Sequence, residues 1–92
     1  MTTYFVECYW PGVSRAKLTA AVDRLDDDQV RCLDTILVTA DEIVLCVVEA
    51  PSETEIRIAA SRAGLPQERV VECVQVASRA ASLAKTRKGG KG

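Results

Sequence analysis

Residues 43–66 read IVLCVVEAPSETEIRIAASRAGLP, and this stretch decides the fold. Ile43 to Val48 is an unbroken apolar run in which Ile43, Val44, Val47 and Val48 are β-branched. That composition favours a strand. The run does not alternate, so both of its faces need cover. Pro51 disfavours helical geometry at Ala50 and ends the strand. Ser52, followed by Glu55, has the S-x-x-E spacing of a capping box. Ile56, Ala59, Ala60 and Ala63 then fall on one narrow helical face, whose small side chains let a helix lie close to a sheet. Gly64 suits the left-handed position that closes a helix, and Pro66 blocks its continuation.

The rest of the chain supplies matching elements. Tyr4 to Trp10 reads as a first strand, with Tyr4, Val6, Cys8 and Trp10 on one face and Phe5, Glu7 and Tyr9 on the other. Pro11-Gly12 makes a turn. Ser14 caps a helix to about Leu25 whose stripe is Leu18, Val22 and Leu25, with Val13 placed to staple onto Leu18. Asp26-Asp27-Asp28 reads as a solvated exit loop. A second strand spans about Val30 to Thr39, and Ala40-Asp41-Glu42 is short enough for a hairpin. Arg69 to Val76 makes a fourth strand. The order βαββαβ predicts an α+β, ferredoxin-like sandwich: a four-stranded antiparallel sheet with two helices on one face. Right-handed crossovers put the first and third strands in the centre.

The segment LCVVEAPSETEIRIAASRAGLPQERVVEC (45–73) is similar to the second half of a small actinobacterial ferredoxin-like family. That family was formerly a domain of unknown function, and it includes nickel-binding proteins. The opening TYFVECYWPG (3–12) resembles the start of its members, so the likeness covers about residues 3–76. The resemblance implies the same fold and a divalent metal as ligand. The chain has no histidine, so a nickel site built on imidazole has no position in it. Carboxylates, thiolates and backbone atoms are what remain.

Length and charge narrow the classes. Ninety-two residues make one domain, expected at residues 1–76, with a basic, Ala/Gly-rich flexible tail at 77–92. The domain carries 13 acidic and 7 basic residues, a net −6, whereas the tail carries 5 basic residues and no acid. Within the tail, a weakly held helix over 77–85 and disorder from Lys88 are expected. The basic tail lacks interleaved aromatics, which argues against nucleic acid as a partner. No apolar run has the length of a membrane span and the start lacks a basic n-region, so a cytoplasmic, membrane-free protein is expected.

Two sets of side chains are candidate ligands. Glu7, Glu49 and Glu72 are expected on the open face of the sheet, with Glu7 opposite Glu72; crowded carboxylates there can hold a hard cation, or pair with arginines such as Arg69. Cys8, Cys46 and Cys73 are expected under the helices, with Cys8 and Cys46 on adjacent strands. None of the four cysteines forms a C-x-x-C pair, and free thiols are expected. The third strand, apolar on both faces, leaves an oily open surface of Phe5, Tyr9, Ile43, Leu45, Val47, Val70 and Val74, the mark of an interface. A homodimer or larger homo-oligomer packed sheet to sheet is expected. The functional expectation is a small, non-enzymatic, oligomeric binding protein. The alternatives are a protein-interaction module, or a dimeric α+β barrel-type enzyme with a small apolar substrate, served by Glu7, Tyr9 and Trp10.

Overall fold

The computed structural model describes residues 1–77. The elements run β1 (Thr2–Tyr9), α1 (Arg15–Leu25), β2 (Arg31–Val38), β3 (Ile43–Ala50), α2 (Glu53–Ala63) and β4 (Gln67–Glu72). The sheet order is β2-β3-β1-β4, antiparallel throughout. This is the ferredoxin-like sandwich, with β3 and β1 in the centre as the crossover rule requires. The expected tail at 77–92, including its helix and its disordered end, lies outside the described residues beyond Ala77.

One core lies between the sheet and the two helices. Tyr4, Val6 and Cys8 of β1 and Val44, Cys46, Val48 and Ala50 of β3 meet Leu18, Ala21 and Leu25 of α1 and Ile56, Ala59, Ala60 and Ala63 of α2. Every second residue of β1 and β3 therefore faces inward, which is what a period of two demands. Ile56 is completely buried. Withdrawing a side chain of that size from water contributes about 1.5–3 kcal/mol.

The helix ends show how local sequence sets the frame. Ser14 Oγ accepts from Lys17 N at 3.1 Å, so α1 has a side-chain cap. At α2 the capping box closes differently: Ser52 Oγ donates to the Glu55 carboxylate, and no backbone amide is capped by Ser52. Gly64 closes α2 at φ 83°, with Leu65 N donating to Ala60 O at 2.9 Å and Gly64 N to Ser61 O at 3.2 Å. The two C-termini are then clamped to each other. Arg24 Nη2 donates to Ala63 O at 2.9 Å, and Arg62 Nη2 donates to Arg24 O at 3.0 Å. Each guanidinium satisfies a carbonyl that the other helix leaves without an intrahelical partner.

Asp26-Asp27-Asp28 is more than a solvated loop. Asp27 Oδ1 accepts from Gln29 N and Val30 N, both at 2.7 Å, and Asp26 Oδ1 accepts from Cys32 N at 2.7 Å. These amides, with Arg62 at 3.0 Å, hold the Asp27 carboxyl below the ordinary aspartate range; the Val30 amide is the largest cause.

Both edge strands carry a bulge. In β2, Cys32 faces Val48 but Asp34 faces Val47, so Leu33 is the extra residue. In β4, Gln67 faces Cys8 but Arg69 faces Glu7, so Glu68 is extra. The fourth strand starts and ends earlier than expected, and its parity is reversed. Val70 faces Val6 and is buried in the core at 8% exposure, not on the open face. Val71 faces Phe5 and takes the open-face position instead. Val74 lies beyond β4, is 84% exposed and is outside the sheet. Two adjacent valines carry no alternation, so hydrophobicity alone does not say which points inward.

Two outcomes are expected. Gly64→Ala lowers unfolding free energy by about 1 kcal/mol in urea denaturation, because a Cβ is strained at positive φ. The added atom would meet nothing nearer than Arg24 Nη2 at 3.9 Å, so the cost is conformational and not steric. Asp27→Asn lowers Tm at neutral pH. A depressed carboxylate pKa contributes stability that is present above the ordinary value of 3.8 and is lost as pH falls through the folded value. The variant's Tm deficit therefore shrinks in acid below that value, and a deficit independent of pH would rule the carboxylate out as the source.

Candidate functional site

The expected carboxylate site is not assembled. Glu7 faces Arg69 across β1 and β4, with Arg69 Nη1 3.6 Å from its Oε1, so the arginine pairing holds here. Glu72 faces Tyr4, which points toward the helices, so it sits on the opposite side of the sheet from Glu7. Glu49 shares the open face with Glu7 but faces Thr3 and Arg31. Glu7 faces Leu45, which puts Glu49 four residues further along β3, about 13 Å at the usual strand rise. The three residues named for the enzyme alternative are divided: Glu7 and Tyr9 lie on the open face, whereas Trp10 packs against the core beneath Lys17.

The thiols give a different picture. Cys8 and Cys46 are buried under the helices, on adjacent strands, as expected. Cys73 follows β4, and its amide donates to Thr3 O, so it has no place beside them. The third inward cysteine is Cys32, because it faces Val48. The Leu33 bulge then returns Thr35 to the same side, opposite Cys46. The Thr35 hydroxyl lies 3.3 Å from Cys32 Sγ and 3.7 Å from Cys46 Sγ. One hydroxyl thus bridges two thiols on neighbouring strands. Sequence reading missed Cys32 and Thr35 because a bulge on an edge strand leaves no mark in hydrophobic alternation.

The three inward thiols differ in acidity. Burial, with Glu68 and then Glu7 adding to it, pushes Cys8 up to about 11. Cys46 is held far above the ordinary thiol range, first by the neighbouring Cys32 and then by burial. Cys32 moves the other way. The Cys46 thiol is the main cause and the Thr35 hydroxyl adds to it, against the burial that opposes ionisation. The two thiols therefore titrate as a pair, with Cys32 the more acidic of the two. Cys32 is only half-buried. Thr35 also lines a groove of about 370 Å³ between α1 and β2, walled by Leu18, Val22 and Leu37 and flanked by Arg15 and Asp23.

Comparison with known proteins now adds to this geometry. The family model described as "Nickel responsive protein SCO4226-like" matches residues 7–87. The chain belongs to that family. Among solved structures, SCO4226 from Streptomyces coelicolor A3(2) matches with a TM-score of 0.68 at 18% identity, over 82% of this chain and 99% of that one. At that identity the likeness speaks for the shared fold. No curated protein matches the sequence. The family model runs past β4 into the basic tail.

The family's description raises nickel, and the donor set answers. Nickel favours imidazole nitrogen among protein ligands, and the chain has no histidine. Among the described residues no group of three or more Cys, Asp or Glu side chains converges on a point where a metal ion would sit. All cysteines, aspartates and glutamates of the sequence fall within residues 1–73. The side chains of a single subunit do not fit a nickel centre. Among the described residues, no helix is long and apolar enough to cross a membrane.

The acidity order is measurable. Under limiting iodoacetamide at neutral pH, followed by peptide mass spectrometry, Cys32 is expected to be alkylated well before Cys46 and Cys8. Alkylation of Cys8 at the rate of Cys32 would contradict the arrangement.

Proposed function

We propose that this member of the SCO4226-like family acts as a non-catalytic binding module that works as a homodimer, joined through the open faces of two sheets. The observation that carries the reading is the composition of that face. Phe5, Tyr9, Ile43, Leu45 and Val47 lie side by side across β1 and β3, with Ile36 opposite Leu45 and Val71 opposite Phe5 extending them to both edges. Ile36, Tyr9 and Val71 are exposed. A largely apolar surface over the middle of a sheet, broken only by Glu7 on β1, is uncommon on a monomer and marks an interaction site.

The rim favours a second copy as the occupant. Arg69 and Arg31 on the two outer strands face Glu7 and Glu49 of the central strands, so the face carries both signs of charge. A two-fold axis brings the same patch onto itself, so a surface with paired charges is complementary to its own image. A chain of this length buries only about 60–65% of its unfolded surface, and dimerisation removes further apolar area from water. The non-catalytic part of the reading is supported by the side-chain layout. Glu7 and Glu49 each have an arginine opposite them on the open face, and the more acidic thiol, Cys32, lies on the other side of the sheet.

Sedimentation velocity of the full chain tests the proposal. The wild type is expected to sediment as a dimer at micromolar concentration. Leu45→Glu is expected to raise the dimer dissociation constant at least about tenfold, with an unchanged far-ultraviolet circular dichroism spectrum. A wild-type monomer at micromolar concentration, or a Leu45→Glu variant that dimerises as well as the parent, overturns it.

A further inference from the structure

We propose that Cys32 and Cys46 form a two-thiolate site for a soft monovalent cation of the copper(I) or silver(I) type, bound between β2 and β3 behind Thr35, which lines the α1–β2 groove. The site lies on the helix side of the sheet and does not depend on the dimer, which uses the opposite face.

Three observations carry this. The first is geometric. Both sulfurs contact one hydroxyl, Thr35 Oγ1, at 3.3 and 3.7 Å, so they are neighbours across the strand pair. The second is the number and kind of donors. Among the described residues no third Cys, Asp or Glu joins a cluster with them, and histidine is absent from the chain. Zinc takes four ligands, and nickel prefers nitrogen and higher coordination, so two sulfurs alone hold neither well. A d10 monovalent cation accepts two thiolates in a linear arrangement and is selected by soft sulfur ligands. The Thr35 oxygen is a hard donor and contributes position more than ligation. The third observation is access. Cys46 is fully buried but Cys32 is half-buried, and the groove reaches Thr35 from solvent.

The exchange balances in charge. With one of the two sulfurs ionised, the pair holds a single thiol proton. A monovalent cation replaces that proton: the remaining S–H bond breaks, two metal–sulfur bonds form, and one proton leaves to solvent. The site carries the same net charge before and after. A divalent ion would add a positive charge with no further protein ligand to share it. The groups facing the pair are the Asp26 carboxylate, which accepts the Cys32 amide, and Arg15 and Asp23 at the groove mouth.

The test uses the full, reduced chain under nitrogen, titrated with copper(I) against bicinchoninate as the competing chelator. One tight equivalent per chain is expected, with a sulfur-to-metal charge-transfer band in the ultraviolet. Cys32→Ser and Cys46→Ala are each expected to weaken binding by more than about tenfold. Cys8→Ser and Cys73→Ser are expected to leave it unchanged. Retention of wild-type affinity in Cys32→Ser, or a loss confined to Cys8→Ser or Cys73→Ser, overturns the proposal. If a buried substitution unfolds the chain, X-ray absorption on the wild-type complex decides: two sulfur neighbours support the site, and additional or nitrogen and oxygen neighbours refute it.

Discussion

β3 is apolar on both faces, and its pairing with β1 on one side and β2 on the other distributes those faces. Val44, Cys46, Val48 and Ala50 turn inward and build the core with the helices; Ile43, Leu45 and Val47 turn outward. A slip of one residue would exchange the two sets. The inward set would then present larger side chains to the alanine face of α2, and the close approach of helix to sheet at Ala59, Ala60 and Ala63 would be lost. The open apolar face and the thiol pair under the helices thus both follow from one ladder register.

The frame around that strand is secured at a few points. Gly64 and Leu65 turn the chain out of α2, and the mutual arginine contacts of Arg24 and Arg62 lock the two helix C-termini together. The Asp26 and Asp27 carboxylates stand in for missing backbone partners between α1 and β2. These are local devices, and each uses a residue type suited to a helix end or a turn.

Much of this was legible in the sequence. The apolar run at 43–48, the Pro51-Ser52 break and the Gly64-Leu65-Pro66 stop announce β3, α2 and its end with little ambiguity, and the element order then leaves one plausible sandwich. The fourth strand was not legible in the same way. Val70-Val71 presents apolar side chains to both sides, and the Glu68 bulge shifts register where no composition signal exists. Val70 and Glu72 therefore sit on the side opposite to the one alternation suggests. The thiol cluster was half legible. Cys8 and Cys46 follow from strand parity, but Cys32 and Thr35 meet only because Leu33 is extra. Bulges are set by tertiary pairing, and a single chain read for periodicity does not reveal them.

The same two bulges bear on how the sheet resists runaway strand pairing. Both outer strands of the sheet, β2 and β4, have a row of backbone donors and acceptors that a further strand might extend into a fibre. Leu33 and Glu68 interrupt those rows near their starts and twist them out of line. Growth by strand addition is thereby discouraged at either margin, and the flat apolar side is the surface of the sheet left open.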